Sequence, residues 1–196
     1  MGGLGPPRPG GLAIRGLVTA VRFLTIVPVP GQALEGPEAL GRAAGWFPLV
    51  GLGLGGLLAL EDRALSIVFP SFLSVLLVLV TWKILTGGIH LDGLADCLDG
   101  LAGRDPAERL AIMRDSRIGV FGAFGLVVVL LLSLDGLTEV DPAVRTRALV
   151  LAPAVGRATP LLLARVFTPP TPREGSGAAV MAAGTRGAQG IGHGVV

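Results

Sequence analysis

Ionisable side chains are scarce in this sequence: Asp, Glu, Lys and Arg make up 15% of 196 residues, against a usual share of about 25%. With hydrophobic residues at 51% and a mean hydropathy of +0.72, that scarcity excludes intrinsic disorder and a collagen-like chain. The 16 basic and 14 acidic residues leave a net charge of only +2, so the pI of about 9.5 reflects few titratable groups. It gives no case for a nucleic-acid partner. The single cysteine, Cys97, excludes an internal disulfide, and a lone thiol supplies neither a zinc site nor a redox pair. No repeat of solenoid length occurs. A secretory leader is not expected, because Arg15 splits the first apolar run and no small-residue cleavage site follows. What is abundant is Gly, at 31, and Pro, at 15, both more frequent in transmembrane helices than in soluble ones. The composition predicts an all-α, polytopic transmembrane helical bundle.

An ionised side chain at mid-bilayer costs on the order of 3 kcal/mol, so charge-free stretches mark the spans. Three are expected: 43–60 (AAGWFPLVGLGLGGLLAL), 64–82 (ALSIVFPSFLSVLLVLVTW) and 118–134 (IGVFGAFGLVVVLLLSL), each close to the roughly 20 residues a crossing needs. A fourth candidate, 148–167, carries Arg157, Arg165, Pro153 and Pro160, which implies a polar face. The stretch 12–29 holds Arg15 and Arg22 seven residues apart, on one face of a helix lying in the interface or packed on the bundle. Gly51 and Gly55 form a GxxxG pair suited to close helix packing.

Between the second and third expected spans lies a polar island. Residues 86–117 (TGGIHLDGLADCLDGLAGRDPAERLAIMRDSR) hold six of the 14 acidic residues and four arginines. A solvated loop is the simplest explanation for such a cluster, but the spacing argues for a site. Asp92, Asp96 and Asp99 stand at i, i+4 and i+7, within about 60° of one another on a helix. No Lys or Arg is interleaved, so the three carboxylates repel, and a divalent cation such as Mg²⁺ or Ca²⁺ would relieve them. Gly93, Gly100 and Gly103 keep bulk off the stripe, admitting a ligand or a close backbone. Arg104, Arg109, Arg114 and Arg117 follow, and guanidinium groups pair with phosphate oxygens. Acid stripe plus arginines suits a metal-assisted diphosphate site. Asp105 and Pro106 open a second helix through about Met113, with Glu108 and Arg109 on its solvated surface. Arg114, Asp115, Ser116 and Arg117 then return over the stripe. His90 is either a substrate contact or a hydrogen-bonded structural group, and Ser116 lacks the partners of a nucleophile.

GGIHLDGLADCLDGLAG followed by ERLAIMRDSRIGVFG resembles the signature of the cobalamin synthase family, the adenosylcobinamide-GDP ribazoletransferases. RFLTIVPVP at 22–30, GWFPLVGLGLG at 45–55 and TPREGSG at 171–177 are similar to other segments of that family, the last with Pro172 and Arg173 transposed. The resemblance implies an integral membrane transferase, of the glycophosphotransferase kind, that completes the lower nucleotide loop of cobalamin. It would join adenosylcobinamide-GDP to α-ribazole or its 5′-phosphate and release GMP, using Mg²⁺. It assigns the metal to Asp92, Asp96 and Asp99, with Asp115 a further catalytic carboxylate. His90, Arg104, Arg114, Ser116, Arg117 and Arg173 would contact substrate. Relative to this family the chain is expected to be C-terminally truncated, with residues 1–180 the membrane domain and 181–196 a disordered tail.

If four spans are counted, Arg8, Arg15, the arginines of 86–117 and Arg173 share one side, which the positive-inside rule makes cytoplasmic, in a cell inner membrane. The opposite loops would be 61–63 (EDR) and 135–147, where Arg145 and Arg147 oppose the pattern. Two rival readings are a CDP-alcohol phosphotransferase, whose motif DCLDGLAGR approximates apart from an extra Gly103, and a non-enzymatic transport component.

Overall fold

A computed structural model of the chain describes residues 9–36, 38–167 and 178–180, and every regular element among them is helical. The helices are α1 (Pro9–Leu24), α2 (Ala39–Ala43), α3 (Phe47–Leu65), α4 (Ser71–Leu85), α5 (Ile89–Gly100), α6 (Pro106–Met113), α7 (Val120–Glu139) and α8 (Pro142–Leu163). A 3₁₀ turn at Ala44–Trp46 joins α2 to α3. The chain divides into two compact units, Met1–Ala59 with Ala148–Val196, and Leu60–Arg147.

In the first unit, the two arginines that interrupt the opening apolar run find backbone partners. Arg15 Nε donates to Ala33 O at 3.2 Å, and Arg22 donates to Val29 O and Gly31 O at 2.8 to 3.1 Å. They hold the segment after α1 back along the helix, while Ala20 and Leu24 pack with Ala43, Ala44, Phe47 and Val180. Phe23 and Phe47 stack at 5.7 Å between centroids. The expected close packing at Gly51 and Gly55 is present, against α8. A Cβ at Gly51 would lie 2.7 Å from Ala154 Cα, and one at Gly55 2.8 Å from Val150 Cα. Gly53 and Gly56 face open space.

The second unit contains α4 to α7 and departs from the sequence reading at its helix ends. Glu61, Asp62 and Arg63, expected in a loop, lie inside α3, which runs to Leu65. Thr81 Oγ1 donates to Glu61 Oε1 at 2.7 Å, and Arg145 Nε to Asp62 Oδ2 at 3.0 Å. Paired carboxylates leave no local reason to break the helix. The break falls later, at 66–70, so α4 starts at Ser71 rather than near residue 64. Likewise 135–147, expected as a loop, is helical except at 140–141.

Among the described residues, two helical segments are long and apolar enough to cross a membrane, Ala39–Leu65 and Val120–Glu139. At 1.5 Å per residue the 20 residues of α7 reach about 30 Å, the thickness of the hydrocarbon layer. Helix α8, the fourth candidate, is not among them. Helices α4 and α5 qualify only as a pair, bent by 87° at their junction. Gly87 (φ 59°) and Gly88 (φ 71°) make that bend, in a backbone region that favours glycine. Helix α5 holds His90, Asp92, Asp96 and Asp99 in 12 residues, too polar a set for a helix facing lipid by itself.

Candidate active site

Helix α5 begins at the Gly87–Gly88 bend and packs on both α6 and α7. Its partner α6 has the boundaries that its cap signal predicts. Asp105 Oδ1 accepts from Ala107 N and Glu108 N, each at 2.9 Å, and Glu108 Oε2 reaches back to Arg104 N at 2.7 Å. Arg109, exposed as expected, also donates through Nε to Gly103 O at 3.0 Å. Gly100 and Gly103 serve this turn rather than a ligand. A Cβ at Gly103 would lie 2.7 Å from Arg109 N, and one at Gly100 3.0 Å from Met113 Cγ. Gly93 alone of the three faces open space.

Beyond α6 the chain turns back across α5, and a cavity of about 780 Å³ opens between them. Asp92 and Asp96 form one wall, and Arg114, Asp115, Ser116 and Arg117 form the facing one. The Gly87–Gly88 bend and Ile89 close one end, bringing the positive pole of α5 to the cavity. Among the described residues neither the Asp92 nor the Asp96 carboxylate has a hydrogen-bond or ion-pair partner, although Asp92 N donates to Gly88 O within the helix. On the facing wall, Asp115 accepts from Arg117 N at 3.0 Å, Nε at 3.1 Å and Nη2 at 2.6 Å. These bonds lower its pKa from 3.8 to about 2.

Asp99 does something different from its two neighbours. Its Oδ2 accepts from Gly119 N at 2.7 Å and its Oδ1 from Gly122 N at 2.8 Å, at the amino end of α7. It does not line the cavity. Among the described residues no three of His, Cys, Asp and Glu converge to hold a metal ion. Two unpartnered carboxylates one turn apart do fit Mg²⁺, which is commonly bound by one or two carboxylates plus substrate phosphates. His90 and Arg104 are exposed and stand outside the cavity lining. Arg173 lies outside the described residues. The expected site residues do not include the glycine pair at the bend, for which the TGG at 86–88 is the sequence signal.

The sequence model of the cobalamin-5-phosphate synthase family matches residues 16–195, and so extends through most of the segment set apart above as a tail. A relative from Clostridium acetobutylicum is 38% identical over 164 residues, 83% of this chain and 65% of its own. One from Geotalea daltonii is 48% identical over 122 residues, 62% of this chain and 49% of its own. One from Stutzerimonas stutzeri is 42% identical over 168 residues, 85% and 68% respectively. Each of the three is called an adenosylcobinamide-GDP ribazoletransferase. The chain thus spans about half to two thirds of the length of the curated relatives it matches. No solved structure matches. By its sequence, the chain belongs to the cobalamin-5-phosphate synthase family.

Proposed function

We propose that this chain carries the catalytic segment of an adenosylcobinamide-GDP ribazoletransferase. The reaction moves the adenosylcobinamide-phosphate moiety of adenosylcobinamide-GDP to α-ribazole or its 5′-phosphate, a late step in assembling the nucleotide loop. The observation that carries this reading is the cavity itself: unpaired Asp92 and Asp96 opposite Arg114 and Arg117, across a space large enough for a diphosphate and its flanking groups. Relatives of that name, 38% to 48% identical, support it.

Arg114 and Arg117 would hold phosphate oxygens on one wall, and Arg117, already fixed by Asp115, arrives with its guanidinium plane oriented. The attacking hydroxyl of the ribazole forms a bond to the phosphorus bearing the cobinamide. The bond from that phosphorus to the GMP oxygen breaks, and the hydroxyl proton passes to a carboxylate of the stripe. Asp92 and Asp96 would hold Mg²⁺, which supplies charge neutralisation along the diphosphate. Positioning and electrostatics then account for most of the rate. We place the cavity on the cytoplasmic side of the cell inner membrane, where arginines of the polar island satisfy the positive-inside rule and nucleotide is available.

The test is GMP release from adenosylcobinamide-GDP and α-ribazole by membranes containing this chain. Mg²⁺ dependence is expected, with at least a 100-fold loss in Asp92→Ala and Asp96→Ala. Unchanged GMP release in either variant, or release only from a CDP-linked substrate, refutes the proposal.

A further inference from the structure

Three glycines on α7, Gly119, Gly122 and Gly125, recur every third residue, and each leaves room for one part of α5. A Cβ at Gly119 or at Gly122 would run into the Asp99 carboxylate, and the one at Gly122 would also lie 3.0 Å from Ala95 O. A Cβ at Gly125 would run into Leu98. Residues three and four apart share a helix face, so Ala95, Leu98 and Asp99 form one strip of α5 seated on a glycine rail. The rail is specific to that strip. Shifting α5 by one residue would push a different side chain against each glycine and turn Asp92 and Asp96 away from Arg114 and Arg117.

Asp99 adds a polar lock to this fit. The amino end of an α-helix leaves its first N–H groups without helical partners. Residue 119 is the N-cap of α7 and, being glycine, has no side chain to cap with. The first turn of α7 contains no acidic residue either. Asp99 supplies both functions from another helix, one oxygen on the N-cap N–H and the other on the N–H three residues on. The same bonds aim its carboxylate into α7 and away from the cavity that Asp92 and Asp96 line.

We propose that Asp99 is a positioning residue that caps α7 through Gly119 and Gly122 and thereby fixes the rotation of α5, leaving the metal to Asp92 and Asp96. The metal assignment rests on the function proposed above; the cap and the rail do not.

Three readouts separate this role from its rivals. Mn²⁺ binding to the purified chain, followed by electron paramagnetic resonance without substrate, reads ligation. Asp99→Ala should bind within threefold of the parent, while Asp92→Ala and Asp96→Ala should weaken binding at least 30-fold. A fall in Asp99→Ala as large as theirs would make Asp99 a ligand and overturn the proposal. A second variant, Asp99→Ala with Gly119→Ser, places a capping hydroxyl on α7 in the space the carboxylate vacates. It should restore thermal stability lost in Asp99→Ala, yet GMP release should stay at least tenfold below the parent at saturating Mg²⁺ and substrate. Recovery of both would reduce Asp99 to a cap and overturn the positioning role. The third readout needs no turnover. Spin labels on Cys97, which is exposed on α5, and on Leu132→Cys of α7 report the placement of the two helices. The distance distribution should broaden in Asp99→Ala and stay broad in the double variant. An unchanged distribution would overturn the proposal. If the parent releases no GMP but the spin labels behave as expected, the functional reading fails and the positioning of α5 by Asp99 stands.

Discussion

Replacing Arg145 with methionine should cost more stability than any single surface change in this protein, and the structure sets the size of the effect. Arg145 and Asp62 meet at 3.0 Å with both side chains only 3% exposed. Arg145 also reaches Ser71 Oγ at 3.3 Å and Ser66 Oγ at 3.4 Å, while the second Asp62 oxygen is buried without a partner. Removing the cation leaves a buried carboxylate uncompensated, which typically costs about 3–5 kcal/mol. The long serine bonds add less, of order 0.5–1 kcal/mol each. Replacing both members, as Asp62→Leu with Arg145→Met, removes the desolvation penalty together with the attraction. The double variant should therefore lie within about 1 kcal/mol of the parent. The assay is reversible unfolding of the purified protein in mild detergent by added denaturing detergent, followed by circular dichroism. A loss below about 1 kcal/mol in Arg145→Met, or a double variant as unstable as the sum of the singles, would refute the reasoning.

Two further outcomes are expected. Gly51→Ala should destabilise the protein by about 1–3 kcal/mol because its new Cβ meets α8 backbone, whereas Gly53→Ala, facing open space, should be neutral or stabilising by up to about 1 kcal/mol; thermal unfolding of the two variants compares them, and equal shifts would refute the contact. Asp115 has a folded pKa below its unfolded one, so what its bonds to Arg117 contribute is complete above the ordinary value of 3.8 and is lost as pH falls through about 2. Carboxyl-carbon NMR should show Asp115 ionised throughout pH 4–8, and Arg117→Ala should return its titration to the ordinary range; a parent midpoint above pH 4 would contradict the geometry.

The features legible in the sequence are those whose causes lie within a few residues. Asp105 before Pro106 caps α6 through groups two and three positions away, so local spacing suffices to place the start of that helix. The apolar run of α7 is as plain, because a bilayer tests each side chain for transfer cost and not for its neighbours. The carboxylates at 92, 96 and 99 fall on one helix, as a period of 3.6 allows, and the segment at 114–117 lines a cavity with the first two of them. Where the cause is distant, sequence reasoning went astray. Glu61, Asp62 and Arg63 have the composition of a loop, yet stay helical because Thr81 and Arg145 lie ready to pair with two of them, the latter 83 positions away.

Asp99 marks the boundary between the two kinds of information. Its spacing alone makes it the equal of Asp92 and Asp96, since helical periodicity reports which residues share a face. Which way that face turns depends on α7, whose glycines admit the Asp99 carboxylate and whose unpaired N–H groups bind it. The sequence by itself determined a helical membrane protein with an acidic, arginine-flanked island of a recognisable family. Only the tertiary structure divided that acidic stripe, two carboxylates to the cavity and one to the fold, because the rotation of a helix is set by the partner it packs against.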